Sequence, residues 1–425
     1  MKLTPVPNAL GETILAGTAG SGLRVFVNPR PRYAHTFAAF GPNFGSVDRV
    51  ASANGQPIPE GLAHFLEHKL FEDSAGDVSD RFAALGASTN AMTGFCGTTY
   101  IVSTIEQPGA CLDLLLDFVQ DPWFTEALVA KEQGIIAQEI RMYDDDPDWR
   151  VFFGLMGCLY EKHPARDNIA GTVESIAEID AATLRRCYDL FYHPRNMVLA
   201  VSGALSPDDV AAIVEADQSG RPADALPPHE RSLTDEPRTR RAPRFELALP
   251  VARPRLLLGI KETVLGGDGL TVSRRELATR ILLDILFGPS SAAFEELYAD
   301  GLIDETFGVS HAAEASFGFS TLGGDTDDPE RLQARLLEVF ERARQQGLDR
   351  AAFARIRNKI LGGLLRSLDS PETVASALLS DAFRGVPPFA ALDLVEAITL
   401  EDLSRRLAEH VREDAIAAAI VRPTP

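Results

Sequence analysis

Apolar positions along this chain fall into two kinds of run. Short, largely apolar runs, Leu23 to Val27, Met197 to Val201, Leu256 to Ile260 and Ala415 to Val421, read as strands. Elsewhere apolar residues recur at helical spacing. Leu62, Phe65, Leu66 and Leu70 form one such stripe, with no Gly or Pro between Leu62 and Phe71, and Pro59 and Glu60 suit a first turn. A second helix is expected to begin near Thr125 and to run to the acidic break at Asp146-Pro147.

The pattern occurs twice. Placing Ala130 on Ala354 also places Pro147 on Pro371, because both intervals are 17 residues. Ile179 and Leu184 match Ile398 and Leu403, and each half closes on one of the apolar runs named above. Residues 216–243 read as a linker, with Gly220, Pro222, Pro227, Pro228, Pro237 and Pro243 among mixed charges. The expected organisation is therefore two similar domains, 1–215 and 244–425, in a chain whose 425 residues exceed one hydrophobic core.

Composition narrows the function classes. With 45% apolar and 24% charged residues, and no uninterrupted apolar run near the roughly 20 needed to cross a bilayer, the chain is expected to be soluble and not a membrane protein. The start Met1 to Pro7 shows no secretory pattern, so the cytoplasm is the expected location. A net charge of −20 argues against nucleic acid or anionic lipid as partners, and the short basic run Arg238, Arg240, Arg241, Arg244 reads as solvated linker. The cysteines, Cys96, Cys111, Cys158 and Cys187, are scattered and read as reduced residues without a disulfide framework.

Chemistry enters with His64-Phe65-Leu66-Glu67-His68. On a helix, histidines four apart lie one above the other and can reach one metal ion, with Glu67 beside them to take a proton from metal-bound water. Hydrolytic zinc usually needs a third protein ligand. The helix near Thr125 offers Glu132 and Glu139, on one face but about 10.5 Å apart at 1.5 Å per residue, so one is expected to bind metal and the other to support the site. The second half has Ile356 and Gly363 at those positions and no second His-x-x-Glu-His, so only the first half is expected to hold metal. A purely structural zinc site would call for a fourth protein ligand.

Over nearly its whole length the sequence resembles the inverted-motif zinc peptidases of the pitrilysin, insulinase and mitochondrial processing peptidase group. The resemblance rests on Gly61 to His68, on Asn90-Ala91-Met92-Thr93 followed by Tyr100, on Glu132 through Glu139 with the Asp146-Pro147 break, and on Pro194-Arg195-Asn196-Met197 before a run ending at Gly203. It implies an α+β fold of two homologous domains, each an antiparallel β-sheet packed with helices, together forming half of a clamshell around a chamber. It implies one Zn²⁺ per chain on His64, His68 and Glu139, with Glu67 as general base and Glu132 completing the catalytic set. It also implies a metalloendopeptidase whose peptide substrate adds to an edge strand at Asn90 and Ala91. Many relatives carry an Arg and a Tyr seven residues apart in the domain without metal. Here Tyr298 falls at or near the Arg position and no Tyr follows. The expected partner is accordingly a related second subunit bearing that pair, with a homodimer as the competing arrangement. The alternative function is a noncatalytic assembly or scaffold subunit, against which the intact Glu67 speaks.

Overall fold

The computed structural model describes residues 1–49, 57–74, 76–224, 231 and 235–424. These form two compact units, each built on one sheet. The first sheet contains β1 (Thr4–Pro5), β2 (Leu15–Thr18), β3 (Arg24–Pro29) and β4 (Thr36–Pro42). After a small ribbon of β5 (Glu72–Asp73) and β6 (Gly76–Asp77), it is completed by β7 (Ser88–Thr93), β8 (Thr98–Thr104) and β9 (Met197–Gly203). The second sheet contains β10 (Arg244–Leu249), β11 (Arg255–Lys261), β12 (Gly308–Ala313), β13 (Gly318–Asp325) and β14 (Ile416–Pro423).

The strand orders are β1-β2-β3-β9-β4-β8-β7 and β10-β14-β11-β13-β12. Both sheets are antiparallel apart from one pair each, β3 with β9 and β10 with β14. In both, the last strand of the half returns after the helices and inserts beside an earlier strand, parallel to one neighbour and antiparallel to the other. By place in the sheet, β11 corresponds to β4 and β10 to β3. The apolar runs at Leu23 and Leu256 therefore occupy different places. β9 is buried along its whole length, which explains its unalternating composition.

The duplication is visible in the helices. Glu126–Asp145 and Arg350–Ser367 begin at equivalent positions, and each is followed by a helix with Pro at its first position, Pro147–Leu159 and Pro371–Arg384. Asp146 and Ser370 cap these second helices, accepting hydrogen bonds from Asp148 N at 2.8 Å and Thr373 N at 3.2 Å.

The compact units are not the contiguous stretches 1–215 and 244–425. One comprises 1–140, 168–230 and 365–390; the other comprises 141–167, 231–364 and 391–425. The halves thus exchange a helix. Pro147–Leu159 packs on β14, β11 and β10, whereas Pro371–Arg384 packs on β9, β4 and β3. Close approach explains the first docking: a Cβ added at Gly259 would stand 2.7 Å from Leu155, and one at Gly154 would stand 2.3 Å from the Phe245 ring. In the other unit Val374, Ala375 and Leu378 are buried, and Arg24 Nη1 donates to Ala382 O at 2.9 Å.

Of the expected linker, residues up to Gln218 belong to the helix Pro207–Gln218, and 225–230 and 232–234, with Pro227 and Pro228, lie outside the described residues. Its later part is anchored. Glu236 accepts from the backbone N–H of Glu161, Lys162 and His163 and from Lys261 Nζ at 2.5 Å. The helix Gly269–Phe287 is buried around most of its circumference, between the second sheet and a layer that includes Ile356, Ile398 and Leu403, so it lacks an amphipathic stripe. Among the described residues no single helix is long and apolar enough to cross a membrane.

Candidate metal centre

The helix Leu62–Leu70 carries the two histidines and buries Leu62, Phe65, Leu66 and Leu70 beneath them. It starts at Leu62 rather than at Pro59, because Gly61 takes the left-handed conformation at φ +84°. Only glycine fits there: an added Cβ would lie 2.4 Å from Ala170 O. Ser175 Oγ also donates to Glu60 O at 2.9 Å, so the approach to the helix is fixed from two sides. Lys69 is wholly buried and paired with Glu72 at 2.8 Å.

The helix Glu126–Asp145 buries Val129, Glu132, Ile136 and Ile140 on one face. That spacing turns Glu132 inward. Glu132 Oε1 lies 3.1 Å from His68 Nδ1, and Glu139, two turns on, meets the other histidine nitrogens, His64 Nε2 at 3.6 Å and His68 Nε2 at 3.4 Å. The two rings are 4.5 Å apart. Burial disfavours charge on His68, but the hydrogen bond to Glu132 and the carboxylates of Glu139 and Glu67 outweigh it, and the net effect raises its pKa.

Ligand atoms of His64, His68 and Glu139 lie within 4.8 Å of one another. Two imidazole nitrogens and a carboxylate oxygen form a donor set suited to zinc with an open position. The contacts of Glu139 are long for hydrogen bonds, as suits groups arranged about a common centre rather than on each other. Glu132, on the far nitrogen of His68, is placed to set that ring's tautomer. The residues present therefore fit the metal.

Glu67 Oε2 accepts from Thr93 Oγ1 at 2.5 Å. Thr93 ends β7, the edge strand of its sheet, whose only partner among the described strands is β8. Alternation along β7 puts Ala91 and Thr93 on one face and the exposed Asn90 and Met92 on the other. Asn90 Oδ1 accepts from Ala91 N at 2.9 Å. The structure thus gathers His64, Glu67, His68, Glu132 and Glu139, and sets Asn90 and Ala91 on the neighbouring edge, with the Asn90 side chain on the face away from Glu67. Beneath the site Tyr100 and Tyr192 share a hydrogen bond of 2.8 Å, and burial pushes both phenols above their usual pKa, so they stay neutral.

Two family models match the sequence, one described as Insulinase (Peptidase family M16) over residues 50–173 and one as Peptidase M16 inactive domain over residues 178–360. The chain belongs to the M16 insulinase family. Its M16 relatives include YmfH of Bacillus subtilis (strain 168), named an uncharacterized zinc protease, which is 39% identical over 97% of both chains. YmxG of the same organism, named likewise, is 25% identical over 84% of this chain and 85% of its own. A crystal structure described as that of an M16-like peptidase from Alicyclobacillus acidocaldarius matches with a TM-score of 0.94 at 40% identity, over 99% of this chain and 100% of that one. A protease from Helicobacter pylori shares the fold at 19% identity, with a TM-score of 0.83 over 97% of this chain and 100% of that one.

The family model described as Insulinase spans the histidines, and the one described as inactive runs from residue 178, before the expected linker, to residue 360. In the latter, Tyr298 lies on the helix Ala292–Ala299 and is 59% exposed. Thr93 is the site residue whose role escaped the sequence reading. The period-two face it shares with Ala91 was the available signal, but its meeting with Glu67 spans 26 residues and depends on how the helix packs on the sheet.

Proposed function

We propose that this M16 chain is a zinc-dependent endopeptidase acting on extended peptides. The observation that carries the reading is the convergence of His64, His68 and Glu139, with Glu67 held beside them by Thr93. His64, His68 and Glu139 would hold the ion. When bound, zinc polarises the scissile carbonyl and makes water nucleophilic near neutral pH.

The chain's own groups supply the rest. Glu132 accepts the Nδ1 proton of His68 and so presents Nε2 as a lone pair on the Glu139 side. Glu67, with Oε2 engaged by Thr93, uses its other oxygen to take a proton from the attacking water and passes it to the leaving amine. The edge of β7 offers backbone groups on which an extended substrate can align, with Ala91 within the strand and Asn90 beside it.

The absent Arg/Tyr pair places a related second subunit in this reading, since loss of an oxyanion donor costs roughly 100- to 1000-fold. Cleavage of a quenched peptide library by the zinc-loaded chain alone, with Glu67→Gln as control, tests both parts. Activity that vanishes in the variant supports a peptidase and overturns the need for a second chain. Silence from both proteins, each with one zinc, directs the assay to the chain mixed with a relative that carries the pair.

A further inference from the structure

The second unit contains a cavity of about 470 Å³, a size ordinary for small-molecule sites, that the metal chemistry does not use. The helix Gly269–Phe287 builds one side of it. Arg280, Leu283, Asp284 and Phe287 all line the cavity, and their spacing puts them on one face of that helix. Leu283 and Phe287 are buried and form its apolar base. Phe294, Phe307, Val309 and Ile360 complete the wall, and each is only partly buried, so a ligand can touch them. Phe294 and Phe307 meet edge to face at 6.1 Å, an arrangement that a third ring can extend.

Charge around the cavity is uneven. Asp284 and Lys359 satisfy each other, with Lys359 Nζ donating to the two carboxylate oxygens at 3.0 and 2.8 Å. His311 is buried, which together with the nearby His410 keeps its ring neutral. Arg280 is exposed, and among the described residues no carboxylate or carbonyl receives its N–H donors. The lining therefore carries one unbalanced positive charge, and it is accessible. Water alone can solvate an exposed guanidinium; what sets Arg280 apart is the aromatic hollow beside it.

A planar, fork-shaped cation at the edge of an aromatic hollow suits a flat anion with an apolar body. An organic cation or a metal ion would be repelled by Arg280 and would find no unpaired carboxylate, since Asp284 is taken by Lys359. An inorganic phosphate would gain the one cation and leave the apolar wall in water. We propose that this cavity binds an arylalkyl carboxylate, with the carboxylate on Arg280 and the ring against Phe294 and Phe307. Its lining residues all belong to the second unit and the zinc ligands to the first, so the binding draws on no group of the metal centre.

3-Phenylpropionate and 3-phenylpropanol, which share a body and differ in charge, test this by ligand-observed NMR titration of the full zinc-loaded chain. The acid is expected to bind about 3- to 10-fold more tightly than the alcohol, as suits a charge-assisted pair that water partly screens. Arg280→Gln should bring the acid down to the alcohol and leave the alcohol unchanged. Equal affinity in the wild type, no binding of the acid at its solubility limit, or a preference that survives Arg280→Gln overturns the proposal; the last result would place the carboxylate elsewhere, on the zinc included. Val309→Trp fills the cavity and keeps Arg280. It should abolish binding of both compounds with zinc content unchanged, and undiminished binding would again overturn the site. N-acetylphenylalanine, which carries the same groups as the last residue of a peptide, distinguishes a free acid from a chain end; whichever binds more tightly under the same Arg280 dependence names the source.

Discussion

Glu132 Oε1 lies 3.1 Å from Nδ1 of His68, while Glu139 meets Nε2 of the same ring at 3.4 Å. The two carboxylates divide one imidazole between them, one fixing its proton and the other facing its lone pair. Glu132→Gln should lower zinc affinity about 10- to 100-fold with the fold intact. Glu139→Gln should abolish stoichiometric binding. Competition against a chromophoric chelator measures both, and equal losses would contradict this division of roles.

Thr93 should matter to rate and not to metal. Thr93→Val frees Glu67 from its hydroxyl partner and is expected to lower kcat by up to about 100-fold, with zinc content and KM unchanged. Thr93→Ser should restore most of the loss. A Val variant with full kcat would show that Glu67 is positioned by other contacts.

Two buried groups, one in each unit, should answer acid in opposite ways. Burial draws His163 in the second unit down to about 4 from an ordinary 6.5, so between those values the unfolded chain binds the extra proton and stability falls as pH falls. Burial lifts Asp381 in the first unit to about 6 from 3.8. There the folded chain binds the extra proton, and stability falls as pH rises through that window. Asp381→Asn should therefore gain stability over the wild type at pH 7.5 and lose that advantage toward pH 4, read from paired thermal melts. A gain independent of pH would contradict the assignment.

The exchanged helix can be tested by coupling. Gly259→Ala should cost about 1–3 kcal/mol, because its new methyl meets Leu155, a residue contributed by the other sequence half. Leu155→Ala alone should cost about 2–5 kcal/mol. Urea melts of the double variant should show less than the summed loss, and strict additivity would mean that the two residues do not touch.

Local signals in the sequence carried the centre a long way. The stripe through Leu62 and Leu70 locates the histidine helix, and the Pro147 and Pro371 breaks locate the paired helices, because capping and periodicity act over a few residues. Gly61 moved the helix start from Pro59 to Leu62, since its left-handed backbone answers to Ala170, far along the chain. The exchange was not legible: an apolar helix face states that it will be buried and not on which sheet. The cavity beside Arg280 was hidden for the same reason, as Phe307 and Lys359 reach it from separate parts of the chain.

That exchange sets an order of events during synthesis. The sheet beside His64 and His68 is covered in part by Pro371–Arg384, a segment more than 160 residues after the last strand of that sheet. As the ribosome delivers residues from the N-terminus, the first unit waits with one face of its sheet bare until that helix emerges. Products that stop short of it carry every proposed zinc ligand yet lack part of the packing of their own unit. A prematurely ended chain thus exposes apolar sheet surface that invites aggregation.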